Sequence, residues 1–225
     1  MIRTGVIDSL NLSSSDLESL FLSEDNYTIE PIKGIGVFKP ERWKSAFKKP
    51  LTQNIIEAKI LHTSTGLELP IKRYSIPKDK QTLEFAGLHG YDDKSNTLKE
   101  LLQSLKGQIQ EKSLTRLDIA IDFKEKIPTR VIKHIKKVRP KQFSWYNSTY
   151  FKTEKEKKKN YHINILLYDK GIKENLNDDI SRLEFSFGGS YFRGKYKIKD
   201  LPLLYEKMEK AIKRFTGLDI KIERL

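Results

Sequence analysis

Two alternating segments constrain what this chain can become. The first, Thr115-Arg116-Leu117-Asp118-Ile119-Ala120-Ile121-Asp122-Phe123, sets Leu117, Ile119, Ile121 and Phe123 on one side of an extended backbone and Arg116, Asp118 and Asp122 on the other. The second, Ser181-Arg182-Leu183-Glu184-Phe185-Ser186-Phe187, sets Leu183, Phe185 and Phe187 against Arg182 and Glu184. Alternation of period two predicts strands with one face in a core. Strands are depleted in Asp and Glu, so mid-strand acids that share a face with arginine point to a site built on a sheet. A third strand ends at Leu166-Leu167-Tyr168-Asp169-Lys170, where His162, Asn164, Leu166 and Tyr168 share a face and Lys170 continues it if the strand does.

The chain has 225 residues, 37% of them hydrophobic, with 11 Phe and 10 Tyr. That is enough for a substantial core and excludes global disorder. The formal net charge is +13, and the sequence pI is about 9.6. Such a balance suits a polyanionic partner, although a solvated lysine-rich surface has the same composition. Cysteine is absent, which excludes disulfides, thiolate metal sites and thiol nucleophiles and fits a reducing cytoplasm. Met1 to Leu22 holds acidic residues and no long apolar run, so no signal peptide is expected there. No segment approaches the roughly 20 apolar residues of a membrane span, and a cytoplasmic location with no membrane partner is expected.

Punctuation along the chain supplies the outline. Ser13-Ser14-Ser15-Asp16 is placed to cap a short helix through Leu20. Ile32 to Phe38, Ile55 to Leu61, Leu67 to Tyr74 and Thr82 to Phe85 read as strands. Thr97-Leu98-Lys99-Glu100 has the capping-box form, and Leu98, Leu101, Leu102 and Leu105 follow at helical spacing, with Gly107 as a stop. A helix from Thr129 to near Pro140 carries Val131, Ile132, Ile135 and Val138. Strands follow at 142–152 and 161–169, joined by a lysine-rich hairpin. A helix over 201–216 ends at Gly217, with a short strand at Ile220 and Ile222. Strands interspersed with a few helices predict an α+β fold with a largely antiparallel sheet. No linker divides the chain, so 1–225 is expected to be a single domain, with halves 1–110 and 111–225 sharing one core.

The polar faces suggest chemistry on a phosphodiester. A tyrosine hydroxyl can attack phosphorus and conserve the bond energy in a phosphotyrosine, but its ordinary pKa near 10 requires help. Hard cations such as Mg²⁺ take oxygen ligands, usually one or two carboxylates, which Asp118, Asp122 and Glu184 offer. Asp118 and Asp122 lie about 13 Å apart on a regular strand, so one ion does not bind both directly without a bend. The same residues read equally as ion-pair partners of Arg116 and Arg182, and Tyr168 as a plain sheet tyrosine with its hydroxyl at the surface. Lys157, Lys158 and Lys159 in the hairpin suit a DNA backbone, as do Arg193, Lys195, Lys197 and Lys199, which alternate after Gly189 as a second phosphate-binding strand. Trp145, Tyr146 and Tyr150 suit stacking on unpaired bases. The four histidines form no His-x-His pair, and Gly34-Ile35-Gly36 is no nucleotide fingerprint.

The Arg-Leu-Asp-Ile-Ala-Ile-Asp-Phe run, the Tyr-Asp-Lys strand end and Arg-Leu-Glu-Phe, in that order, resemble the rolling-circle replication initiators of staphylococcal plasmids. Nickases of integrative elements and phage-type replication initiation factors look similar. The resemblance covers roughly residues 80 to 190 and implies a replication-initiator, relaxase-like catalytic domain. It implies Tyr168 as the nicking nucleophile, with Lys170 beside it. It places Asp118, Asp122 and Glu184 in a Mg²⁺ or Mn²⁺ site, with Glu84 of Leu83-Glu84-Phe85 as a further ligand. The implied partners are origin DNA, single-stranded or in a hairpin, a host helicase and a second copy of the chain. After Tyr-x-Lys the family often has a second Lys and a Glu, where this chain has Gly171-Ile172-Lys173-Glu174. The expected activity is a site-specific, metal-assisted DNA nickase. The alternatives are a non-catalytic DNA-binding replication or recombination accessory protein, and a metal-dependent nuclease that uses water.

Overall fold

The structure, a computed structural model, describes residues 2–21, 25–31, 54–74, 80–124, 126–152, 163–192 and 194–225. The expected strand over Ile32 to Phe38 and the lysines of the hairpin lie outside them.

Eleven strands are found among the described residues: β1 (Arg3–Ser14), β2 (Tyr27–Pro31), β3 (Asn54–His62), β4 (Glu68–Tyr74), β5 (Gln81–Ala86), β6 (Ser113–Lys124), β7 (Lys141–Trp145), β8 (Ser148–Lys152), β9 (Ile163–Asp169), β10 (Ile180–Phe187) and β11 (Ile220–Ile222). Ten of them form one path in the order β2-β3-β4-β5-β1-β6-β10-β9-β8-β7. Every neighbour on that path is antiparallel, and β11 adds to β1 in parallel. The α+β class with a largely antiparallel sheet is what the alternation predicts.

The path has a symmetry that the amino-acid sequence does not show. Its two halves, β2-β3-β4-β5-β1 and β6-β10-β9-β8-β7, meet at the β1–β6 pair and run outward in corresponding order. In each half, the strand next to the central pair carries a Leu-Glu-Phe triplet, Leu83 to Phe85 in β5 and Leu183 to Phe185 in β10.

β1 sits at the centre of the sheet, although its sequence reads as a polar start to the chain. Leu10 and Leu12 are buried, but Asp8, Ser9, Asn11 and Ser13 between and beside them break the apolar pattern. The expected helix at Ser13–Leu20 is only a 3-10 turn over Glu18–Phe21, because β1 runs on through Ser14.

Six helices are described: α1 (Asp93–Ser104), α2 (Lys106–Ile109), α3 (Thr129–Val138), α4 (Lys170–Glu174), α5 (Gly189–Phe192) and α6 (Leu201–Thr216). α1 starts four residues before the expected box, because Asp92 caps it by accepting the Ser95 N–H at 2.9 Å. Gly107 lies inside α2 and does not stop the run. α6 matches its expected bounds, and Gly217 ends it with φ of 69°, a conformation that costs glycine little. The strand expected over 142–152 is instead the hairpin β7–β8, whose turn holds Tyr146 at φ 48°. Lys197 makes an isolated bridge to Ser113 and Ile198–Asp200 form a 3-10 segment, so no phosphate-binding strand runs there.

The core joins Ile119, Ile121 and Phe123 of β6, Leu183, Phe185 and Phe187 of β10, Val131 and Ile135 of α3, and Leu204, Met208, Ile212 and Phe215 of α6. Helices therefore cover the apolar face of the sheet, and the acidic residues lie on the opposite one. No helix among the described residues is long and apolar enough to cross a membrane.

Candidate functional site

Register assembles the site. Across β6, β10 and β9, Asp122 pairs with Arg182 and Arg182 with Tyr168. One row along, Ala120 pairs with Glu184 and Glu184 with Leu166. In the next row, Asp118 pairs with Ser186 and Ser186 with Asn164. Residues directly opposite share a face, so Asp118, Asp122, Arg116, Arg182, Glu184 and Tyr168 lie together. Glu184 is the diagonal neighbour of both aspartates, with the small Ala120 between them. Glu84 joins through β1, since it pairs with Asn11, which pairs with Arg116.

Arg182 is the organising side chain. It is fully buried and donates to both oxygens of Asp122 at 2.7 Å, to Asp8 at 2.9 Å and to the His89 carbonyl at 2.9 Å. A buried guanidinium is tolerated only when its donors are matched in this way. Asp8 reaches it from an irregularity between Ile7 and Ser9, and its carbonyl accepts the N–H groups of Gly87 and Leu88 at 3.0 and 2.7 Å. That anchors the loop before α1, which brings the His89 Nε2 to 3.2 Å from Asp122 and the Tyr91 hydroxyl to 2.9 Å. Burial raises the Asp122 pKa, but the hydrogen bonds from Arg182 and His89 and the Arg182 charge outweigh it, holding Asp122 well below the usual carboxylate range. Burial, then the hydrogen bond to Asp122, pushes Tyr91 up to about 12.

Asp118 is held in two places by Arg116, at 2.9 and 2.7 Å, and burial raises its carboxyl more than that pair lowers it. Glu84 faces Lys72 at 3.6 Å and Arg116 at 3.7 Å. Glu184 differs from both. Its Oε2 accepts the Tyr168 hydroxyl at 3.2 Å, and no ion pair to it is found among the described residues. Burial, then the charges of Asp118 and Asp8, push its carboxyl up to about 7. Burial, then the Glu184 charge, likewise carries Tyr168 well above the ordinary phenol range.

Local chemistry explains the Tyr-Asp-Lys segment. Tyr168 is the last residue of β9 to face the site. Asp169 caps α4 by accepting the Ile172 N–H at 2.8 Å, a role that Asn fills as well. Lys170 then begins the helix instead of continuing the strand face. It is buried and pairs with Glu174. The helical turn brings Lys173 over the Tyr168 ring, 4.6 Å from its centre. Gly171 is required here, since a Cβ would meet the Asp178 carbonyl oxygen at 2.2 Å.

Of the other expected DNA contacts, Lys157, Lys158, Lys159 and Arg193 lie outside the described residues. Lys195 is exposed, and Lys197 pairs with Glu111 at 2.5 Å, off the polar face. Among the described residues, α3 exposes Arg130, Lys133, Lys136 and Lys137 and carries no acidic residue. In the sequence α3 stands out only for its apolar face, and His89, Tyr91 and Lys173 are given no role there. Asp8 carried a signal, an acid beside an alternating Leu10–Leu12 pair, but His89 and Tyr91 sit in a turn with none.

Among the described residues, no group of three or more His, Asp or Glu is arranged to hold a metal ion. Arg182 bonds both oxygens of Asp122, Arg116 bonds both oxygens of Asp118, and two cations flank Glu84. Mg²⁺ needs only one or two protein carboxylates. Glu184, with like-charged Asp118 diagonal to it, meets that requirement.

No protein-family model matches the chain, and no curated protein matches it. Among solved structures, it is similar to a rolling circle replication initiator protein from Geobacillus stearothermophilus, with a TM-score of 0.51 and 14% identity over 94% of this chain and 84% of that one. That likeness is one of fold.

Proposed function

We propose that the chain is a DNA nickase that initiates rolling-circle replication of a plasmid, phage or integrated element, with Tyr168 as nucleophile. The observation that carries this reading is the buried Tyr168 hydroxyl against Glu184 on the polar face of the sheet, in a fold similar to that of a replication initiator. Glu184 is the carboxylate within reach of the hydroxyl proton. The Tyr168 oxygen bonds to phosphorus, the bond from phosphorus to the 3′ oxygen breaks, and the 5′ phosphate stays on the enzyme. The 3′ oxygen leaves with a proton and primes synthesis. Glu184 and Asp118 would hold a Mg²⁺ or Mn²⁺ ion, which would supply Lewis-acid polarisation of the scissile phosphate. Lys173 over the ring offsets the charge that Tyr168 develops, the role expected from sequence for Lys170. Arg182 and Asp122 fix the strands on which Tyr168 and Glu184 stand, and Arg116 orients Asp118. The basic face of α3 supplies contacts to duplex phosphates. The test is a covalent protein–DNA adduct that forms with wild type and is absent from Tyr168→Phe.

A further inference from the structure

Arg139 is a buried charge without a counter-charge. It follows the last residue of α3, is only 5% exposed, and its Nη1 has no hydrogen-bond partner among the described residues. A basic residue past a helix end ordinarily bonds the last carbonyls. Here the backbone N–H of Arg139 takes the Ile135 carbonyl at 2.7 Å, and no hydrogen bond or ion pair of the guanidinium is found among the described residues. The guanidinium lies instead over the Phe215 ring of α6, 4.8 Å from its centre.

A second cation shares that ring. The Arg214 guanidinium lies 4.9 Å from the same centre. Arg214 is exposed, and no carboxylate pairs with it among the described residues, although its neighbours on α6 are paired, Lys210 with Glu206 and Lys213 with Asp219. Burial, then the Arg214 charge, holds the Arg139 pKa below its ordinary value. His134 of α3 donates from Nε2 to the Arg214 carbonyl at 3.1 Å, which ties the helix ends that carry the two arginines.

Two like charges beside one apolar ring, one of them out of water, destabilise the free protein. A phosphate oxyanion offsets both, because the guanidinium fork matches its oxygens. The surroundings identify which phosphate. Arg130, Lys133, Lys136 and Lys137 of α3 are exposed, and no ion pair to them is found among the described residues. A free ion needs two cations, whereas a row of them suits the repeated phosphates of a nucleic-acid backbone.

We propose that Arg139 and Arg214 form a seat for one backbone phosphate of duplex DNA at the junction of α3 and α6. Both helices cover the apolar face of the sheet, so the seat holds duplex away from the strand that reaches Tyr168. The assignment rests on the reading of α3 as a duplex contact and not on the chemistry of Tyr168.

The probe is a fluorescent mixed-sequence duplex, titrated with the full chain and followed by anisotropy without divalent cation, where no nicking enters. Arg139→Met keeps the bulk, weakens binding about 10-fold and lowers the slope of log affinity against log salt by about 0.9, the share of one phosphate. Arg214→Met, at an exposed position, does the same, and it decides the matter if Arg139→Met fails to fold. The double variant lowers the slope no further, because one phosphate is lost. Without DNA, Arg139→Met melts no lower than wild type, since it removes an unpaired buried charge. A lower melting temperature with unchanged duplex affinity makes Arg139 structural and overturns the seat. Unchanged duplex affinity in both single variants also overturns it, and leaves α3 to be judged by Lys133, Lys136 and Lys137. Inorganic phosphate that raises the melting temperature of wild type but not of the variants, with duplex affinity unchanged, assigns the seat to a free ion and overturns its assignment to DNA. None of these outcomes bears on an adduct at Tyr168.

Discussion

Glu84 and Glu184 hold corresponding places in the two halves of the sheet, yet among the described residues only Glu184 has a tyrosine hydroxyl against it. Each follows by two residues the position that pairs with the next strand out. That position is Thr82 opposite Lys72 in one half, and Arg182 opposite Tyr168 in the other. Where Glu184 meets Tyr168 at 3.2 Å, Glu84 meets Lys72 at 3.6 Å. Two strands with the same local sequence thus differ because of what their neighbours present.

The difference sets an expectation for activity. Glu184→Gln removes the proton acceptor and lowers nicking by at least about 100-fold. Glu84→Gln breaks partly exposed ion pairs and changes it by less than about fivefold. Rates measured on one nicked substrate decide this, and equal losses in the two variants contradict the assignment.

Stability carries a pH signature of the same residue. The Glu184 carboxyl is pushed from an ordinary value near 4.5 up to about 7 in the folded protein. The folded state therefore favours the protonated form, and its advantage is lost as pH rises from about 4.5 to about 7. Glu184→Gln cannot ionise. It should match wild type near pH 4 and exceed it by about 1–3 kcal/mol near pH 8 in urea denaturation. A pH-independent difference between the two contradicts the raised carboxyl.

Arg182 is the residue whose loss should cost most in stability. Arg182→Met strands Asp8 and Asp122, and the expected loss is about 3–5 kcal/mol by urea denaturation at pH 7. As pH falls toward the depressed pKa of Asp122, the stabilisation that Arg182 gives it is lost and the difference shrinks. A loss below about 1 kcal/mol at pH 7 shows that Arg182 does not organise the site.

Much of this site was legible because strand alternation is a strict code. Period two in 115–123 and 181–187 is enough by itself to place Arg116, Asp118, Asp122, Arg182 and Glu184 on one face. The pairing is what alternation cannot give. Nothing in either strand says that Asp122 sits opposite Arg182, or that Ala120 leaves Glu184 diagonal to both aspartates. The central strand β1 escaped notice because a site-facing strand carries polar residues where a core strand would not, and Asp8 went with it. Lys170 misled for a local reason. Asp169 is a helix cap, so the chain leaves the strand one residue after Tyr168, and Lys173 reaches the ring instead.

The basic face of α3 makes a prediction through salt. Replacing Lys133, Lys136 and Lys137 by Gln leaves the duplex phosphates they face without a cation. The slope of log affinity against log salt should fall by about 0.9 for each phosphate no longer neutralised. Titrations of a duplex at several salt concentrations give that slope, and an unchanged value removes α3 from the DNA-binding surface.

The most direct measurement is a denaturing gel of protein incubated with Mn²⁺ and with supercoiled and single-stranded DNA carrying the sequence that flanks its own gene. Tyrosine chemistry yields DNA covalently attached to wild-type protein through a 5′ phosphate, and none attached to Tyr168→Phe, although that variant binds the same DNA. Cleavage without an adduct, or an adduct that survives in Tyr168→Phe, contradicts Tyr168 as the nucleophile.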